Sequence, residues 1–203
     1  MKHLCKWAAS LVFLGLAAPV QAADFSDPTW PCIQRKVENL SVGLMWPREI
    51  AQIKMTPELA TEVDELAARL VLRRVDLDEA QRYINAFAAK HGQDDALMGH
   101  VFEKVFDRLA ARRTLIMRGI EDFSLKQIAM SERIDTARTE MDTLMATAEP
   151  DYDKVDKLEE QVDWDERIYT DRQKSLTYVC ETPVLLEKRL YAIAQMLIDV
   201  SQS

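Results

Sequence analysis

A heptad pattern near the C-terminus limits the possible folds more than any other feature of this sequence. From Val155 to Val200, candidate core positions alternate at steps of three and four, and 11 of these 14 positions are apolar or aromatic. Such a repeat is typical of a helix that packs along its length against another helix. A matching repeat runs from Ile120 to Ala148, and the segment Glu149-Pro150-Asp151 separates the two. The sequence therefore predicts an antiparallel coiled-coil hairpin.

The position of this turn also predicts which residues face each other. With the turn at residue 150, Cys180 lies level with Ile120, and Gln127 lies level with Arg172 and Gln173. A polar layer at Gln127 would fix the register of the two helices at some cost in stability. A break near Gly119–Ser124 is possible, because Gly and Ser weaken a helix interior, and continuity there is left open. Pro183 should kink or break its helix, with Thr182 capping a restart.

Three further helix starts precede the hairpin. Thr56-Pro57-Glu58 combines an N-cap with a proline at the first helical position, Asp76 caps a second helix, and a third begins near Asp94 or Asp95. We expect a helical bundle head formed by residues 56–119 and 181–203, with residues 120–180 as a coiled-coil arm. The alternative is an ordinary globular bundle in which the arm folds back on the head.

Residues 23–55 differ from the rest of the chain. Pro28, Pro31 and Pro47 prevent a long helix there, so we expect an extended strap, with a short helix possible between Ile33 and Leu40. Trp30 and Trp46 would anchor this strap on the helical body. Because the whole chain has only five glycines and seven prolines, it lacks the turns that a β-sandwich or barrel needs. The expected fold class is all-α.

The N-terminus reads as a signal peptide for export. Lys2 and Lys6 precede an apolar run from Ala8 to Ala18, and small residues at Val20 and Ala22 suit a signal peptidase. The run is too short for a membrane anchor, which needs about 20 apolar residues. We therefore expect cleavage near residue 22, a periplasmic or secreted mature protein, and no membrane span after cleavage.

Export determines how the cysteines are interpreted. Cys5 is lost with the signal peptide, which leaves Cys32 and Cys180. Two cysteines in an oxidising compartment favour a disulfide, which would tie the strap to the arm. A reactive thiol pair is the alternative, but neither a C-x-x-C motif nor a neighbouring histidine supports it.

Charge is unevenly distributed along the arm. Residues 149–166 carry nine acids against two lysines, whereas residues 104–118 carry five basic side chains against Asp107. The arm would thus have an acidic tip and a basic root. Solvation alone could explain the acids. The functional interpretation is that Asp151, Asp153 and Asp156 meet a basic surface while Trp164 anchors the contact, and in the alternative Trp164 packs across the hairpin near Thr136 or Ala137.

The sequence contains few of the motifs that mark catalytic, nucleotide-binding or metal-binding sites. The sequence has no G-x-S-x-G, H-E-x-x-H or G-x-G-x-x-G motif, and residues 151–156 resemble a calcium loop only loosely. His91 and His100 lack the converging ligands that a metal site needs. We therefore expect neither an enzyme nor a bound cofactor or metal. Removal of residues 1–22 changes the net charge from −8 to −10, which disfavours nucleic acid as a partner.

These features together predict a protein-interaction module. The favoured form is a periplasmic adaptor or chaperone-like factor that serves an envelope protein with a basic surface, or that self-associates. In kind it resembles the small helical periplasmic chaperones of the Spy type, whose Leu-Thr-x-x-Gln motif is matched in residues 55–59 by the threonine alone. The alternative function is a helical ligand- or metal-sensing periplasmic domain.

Overall fold

The computed structural model describes residues 27–203 and contains five helices but no strand within that range. The predicted signal peptide over residues 1–22 and the first residues of the strap lie outside the described residues. The all-α prediction is confirmed. The helices are α1 (Val42–Met45), α2 (Pro57–Leu70), α3 (Leu77–His91), α4 (Asp95–Met145) and α5 (Tyr152–Ser201).

Capping side chains define the start of each long helix. Thr56 Oγ1 accepts a hydrogen bond from the Leu59 amide, and Asp76, Asp94 and Asp151 act in the same way at α3, α4 and α5. These contacts satisfy backbone donors that have no partner within the helix. Gly92 ends α3 with φ of 92°, a left-handed conformation that favours glycine. The helix starts predicted from sequence are confirmed.

Helices α4 and α5 pack against each other as an antiparallel hairpin. Every predicted core position of α5 between Val155 and Val200 is buried or half-buried. Ile120 and Cys180 share one apolar cluster, as the expected register requires. The side-chain amide of Gln127 donates to the Tyr169 carbonyl at 3.1 Å, within one turn of its predicted partners. The hairpin prediction is therefore confirmed, with its turn at residues 146–151.

The helix bounds decide three local alternatives. Helix α4 runs without interruption through Gly119–Ser124, so the possible break there is absent, and α5 continues through Pro183, so the helix does not break at that residue. Thr182 does not cap a new helix, because its hydroxyl donates to the Tyr178 carbonyl of the same helix. Pro183 is buried, and core positions on both sides of it keep the same spacing, so packing compensates for the hydrogen bond that proline cannot make. Residues 33–40 are not helical, so the possible helix there does not form, and α1 is the one helix among strap residues 27–55.

The main core lies at the end of the molecule remote from the hairpin turn. It joins one face each of α2 and α3 to the first part of α4 and the last part of α5. The residues buried most completely there include Leu70, Ile84, Met98, Phe102, Leu190 and Ile193. This arrangement is the helical head that the sequence predicts.

The strap lies on this body and is held by its two tryptophans. Trp46 is almost fully buried and stacks on Phe102, with ring centroids 5.4 Å apart. Trp30 is also buried, and its indole N–H donates to the Gln34 carbonyl at 2.7 Å. Ile50 packs so closely on Gly99 of α4 that a β-carbon there would come within 3.0 Å of it. The strap is therefore a packed part of the fold.

A disulfide and a buried arginine are among the contacts that fasten the strap to the hairpin. Cys32 and Cys180 form the predicted disulfide, with Cα atoms 5.5 Å apart. Arg113 of α4 is 3% exposed, pairs with Glu187 of α5 at 2.5 Å, and donates to the carbonyls of Val37 and Glu38. A single guanidinium thus joins both long helices to the strap.

The arm has an apolar cluster of its own, formed by Met130, Ile134, Ala137 and Val162. None of these residues belongs to the head cluster. We therefore predict that the head folds without the outer arm. Deleting residues 131–169 and joining the helices with a short turn should leave a helical protein that melts in one cooperative transition, followed by circular dichroism. The full chain is the control, and loss of cooperative melting would show that the arm forms part of the main core.

Candidate functional site

The strongest candidate for a functional surface is the outer side of α5 near the turn. We define the acidic arm face as Asp156, Glu159, Glu160, Asp163 and Trp164. Together with Lys157, Gln161 and Arg167, these residues line an open depression on the surface. They share one side of the helix because positions three, four and seven residues apart lie above one another.

Trp164 is the most informative residue of this face. It is 61% exposed, so of the two alternatives the structure shows the exposed one and not packing across the hairpin. Its position explains the exposure, since Val162 and Asp165 on either side are the residues that point into the helix interface. Large exposed aromatic side chains mark contact sites more often than other residue types do.

Most acids of the tip have no ion-pair partner within residues 27–203. Only Asp165 and Glu166 of the nine acids in 149–166 form salt bridges, with Arg133 and Arg138 of α4. Asp151 caps α5 through the Lys154 amide. Lys154 itself pairs with Glu140 at 2.6 Å, so it neutralises a different carboxylate. Seven of the nine acids at the tip therefore have no ion pair among the described residues. The acids without an ion pair are Glu149, Asp151, Asp153, Asp156, Glu159, Glu160 and Asp163.

Asp165 has a structural role. It occupies a core position of the hairpin, and Arg133 donates to both of its carboxylate oxygens, at 2.8 and 2.9 Å. These hydrogen bonds lower the pKa of the Asp165 carboxyl below its ordinary value. A bidentate pair in an otherwise apolar interface has strict geometry, so it helps Gln127 to set the register.

The basic root is only partly available to a partner. Arg113 is buried by its contacts with Glu187 and the strap, so it cannot contact a partner. Lys104 and Arg108 both form ion pairs with Asp64. Arg112 and Arg118 are exposed and make no ion pair with any described residue. The root is thus basic, as the sequence indicates, but it carries fewer unpaired charges than the tip.

Neither histidine in the described part of the chain belongs to a candidate metal site. His91 Nε2 lies 2.8 Å from a Glu62 oxygen, and His100 lies between Glu103 and the Ala51 carbonyl. Both imidazoles therefore have ordinary structural partners. Residues 27–203 contain no group of three or more potential ligands that could hold a metal ion.

Sequence reasoning missed other exposed apolar side chains on the hairpin. Tyr152 and Met145, at the turn, are 61% and 50% exposed. Tyr178 and Leu185 continue the row of Trp164 along α5 and are also exposed. The heptad pattern of the sequence could have revealed this row. Trp164, Tyr178 and Leu185 are separated by multiples of seven, so they occupy one heptad position outside the core.

Comparison with known proteins assigns no relative to the chain. No protein-family model, curated protein or solved structure matches it. Among the helices described, none combines the length and apolar character needed to cross a bilayer.

Proposed function

We propose that this protein is an exported, non-enzymatic interaction module that docks a basic surface of an envelope protein through the acidic arm face. Its role would be that of an adaptor or chaperone-like factor. The observation that carries this proposal is the exposure of Trp164 among carboxylates that have no ion pair in the described structure.

The two components of this face would act at different stages of binding. Clustered exposed charge of one sign attracts a partner of the opposite sign and raises the association rate. An exposed tryptophan gains little until it is desolvated, and then it slows dissociation. A thin arm that carries both at its outer end is suited to reach a partner while the head stays clear of it.

Export is supported by two independent features. The sequence pattern of residues 1–22 is that of a signal peptide. The Cys32–Cys180 disulfide is of a kind that persists in oxidising compartments. A periplasmic location would account for both.

The proposal predicts that charge and aromatic contact can be separated kinetically. Asp151 and Asp153 lie outside the acidic arm face, so the test changes Asp156, Glu160 and Asp163 to the corresponding amides, which should slow association and weaken its salt dependence while the Asp151 cap of α5 stays intact. Trp164→Ala should speed dissociation about tenfold, since a hot-spot side chain contributes about 1.5 kcal/mol or more. Surface plasmon resonance with the partner recovered from envelope extract would measure both rates.

Tyr178→Ala is the matched control for the aromatic substitution. Tyr178 is 67% exposed on the same helix but lies outside the acidic arm face, so its removal should leave both rates unchanged. Unchanged binding by both test variants would contradict docking through the tip and would indicate that the binding surface lies on the head. Recovery of the same chain as the partner would instead identify self-association, with Arg112 and Arg118 as the basic residues to test.

The ligand-sensing alternative has one observation in its favour. A cavity lies between the strap and the hairpin, on a part of the arm that the acidic arm face does not include.

A further inference from the structure

The outer side of α5 carries a row of exposed side chains that does not pack on α4. Its members lie seven residues apart, so they follow nearly one line along the helix. All four are exposed, and three of them are large and apolar or aromatic. A row of this kind is typical of a helix that packs on a further helix. We call it the outer row: Trp164, Asp171, Tyr178 and Leu185.

A row of charged residues runs beside the outer row. This charged row consists of Glu160, Arg167, Lys174, Glu181 and Lys188, all of them exposed. Lys174 is its midpoint. If a second copy of α5 lies antiparallel with the two Lys174 residues level, Glu160 faces Lys188 and Arg167 faces Glu181. A parallel copy would instead place each charge opposite its own kind. Charges along the flanks of two packed helices set their orientation, so the charged row selects the antiparallel arrangement.

The same register pairs the outer row with itself. Trp164 faces Leu185, and Asp171 faces Tyr178, whose hydroxyl can donate to the carboxylate. Lys174 meets its own copy at the centre, but its charge is balanced within the chain, because its Nζ atom lies 3.0 Å from an Asp171 oxygen. The small side chain next to it, Ser175, lets the two helices approach each other.

The head supplies a third complementary feature, at the level that the tip of a second copy would reach. Arg189 of α5 donates, at 2.8 Å each, to the carbonyls of Leu70 and Val75, so the loop between α2 and α3 lies beside α5 at that point. This loop carries Arg73 and Arg74, which are exposed and form no ion pair with any described residue. In the antiparallel register, residue 189 is level with the acidic arm face of the second copy. The arginines of each head would therefore lie near the carboxylates of the other tip.

We propose that two copies of this chain pair antiparallel along the outer row of α5, with the acidic tip of each copy beside the head of the other. The inference rests on the proposed function, since it names a second copy as one partner of the acidic arm face. Pairing covers Trp164, so a basic envelope protein would have to displace the second copy before it docks. The contact from residue 160 to residue 188 is about 42 Å long. Two helices in contact over that length form a small interface of the weak, transient class, so monomer and dimer should exchange at micromolar concentrations.

Sedimentation velocity of the mature protein at physiological ionic strength tests the pairing directly. That ionic strength screens the general repulsion between two acidic chains. We expect a monomer below about 1 µM and a growing fraction of dimer toward about 200 µM. A chain that stays monomeric up to that concentration would overturn the pairing. It would leave docking to a separate envelope protein intact, because surface plasmon resonance measures that docking with the recovered partner.

A charge exchange tests the register. Arg167 and Glu181 lie about 21 Å apart along one helix, so they can pair only between two copies. Arg167→Glu alone, or Glu181→Lys alone, should weaken the dimer about tenfold, because like charges then face each other at two symmetric positions. The double variant should restore wild-type pairing. Arg112→Glu is the matched control, since it changes the net charge equally on an exposed residue of α4 and should leave the dimer unchanged. A double variant that does not recover, or equal weakening by Arg112→Glu, would overturn the antiparallel pairing.

Tyr178→Ala separates this pairing from docking of another protein. It alters the outer row but not the acidic arm face, so it should weaken the dimer about tenfold. At chain concentrations below about 1 µM, where the monomer prevails, it should leave the rates of docking to the envelope partner unchanged. A dimer that forms equally well with Tyr178→Ala and with Trp164→Ala would show that the outer row does not hold the two copies together.

Discussion

Replacing both Cys32 and Cys180 with serine is expected to lower the free energy of unfolding by roughly 4–5 kcal/mol. The bond closes a loop across a sequence separation of 148 residues, and it therefore removes many conformations from the unfolded chain. Both sulfurs are buried with Trp30, Met117 and Ile120, so the substitution also weakens a small apolar cluster. For a chain of this size the melting temperature should fall by about 10–20 °C.

Thermal unfolding of the mature protein, followed by circular dichroism, would measure this effect. Unaltered protein in a reducing agent is the matched control and should melt close to the double variant. Thiol titration of the unreduced, denatured mature protein should find no free thiol. Two free thiols, or equal stability with and without reductant, would contradict the prediction and remove the disulfide as a fastening of the strap.

Arg113→Met is expected to destabilise the fold by about 3 kcal/mol, in the lower part of the range for breaking a buried ion pair. The side chain is 3% exposed and satisfies three acceptors on two separate segments, the strap and α5. Without it, the carbonyls of Val37 and Glu38 lose charged donors, and Glu187 loses its partner. Glu187 is partly exposed, so water can solvate its carboxylate and limits the loss.

The neighbouring arginine provides a control of the same chemistry. Arg112 is exposed and forms no ion pair with any described residue, so Arg112→Met should change stability by less than about 0.5 kcal/mol. Arg113→Lys should be nearly as harmful as Arg113→Met, because one ammonium group cannot reproduce the fork of a guanidinium. Chemical denaturation would rank the three variants, and similar values for Arg112→Met and Arg113→Met would contradict the role assigned to Arg113.

The sequence predicted the hairpin well because its signal is periodic and long. Each core position constrains the next, and the Glu149-Pro150-Asp151 turn then determines which residues face each other. Local effects were harder to predict. Proline destabilises an isolated helix, but α5 continues through Pro183 because its core positions on both sides are packed: Val179 lies against the Cys180 cluster, and Leu186 belongs to the head core. Tertiary packing therefore outweighs local preference at this residue.

The site could be predicted less fully than the fold. The unequal distribution of charge is visible in the sequence, but whether a charge is free depends on partners far away along the chain. In the sequence Arg113 is one of five basic residues at the root, whereas in the structure it is buried and joins the strap to α5. Trp164 allowed two interpretations until the core positions beside it were located. The cavity between the strap and the hairpin has no sequence signature, since three distant segments form it.

Because α4 and α5 are joined by a single short turn, the contacts of the hairpin are expected to form in a particular order during folding. Contacts near residues 146–151 close very short loops, and each successive pair along the hairpin adds only a small further loss of chain entropy. Local contacts of this kind form rapidly. The strap, by contrast, packs on both long helices, so we expect it to dock after they are aligned and Cys32 to reach Cys180 late. On this order of events, the disulfide forms last and holds the strap on a hairpin whose register is already set.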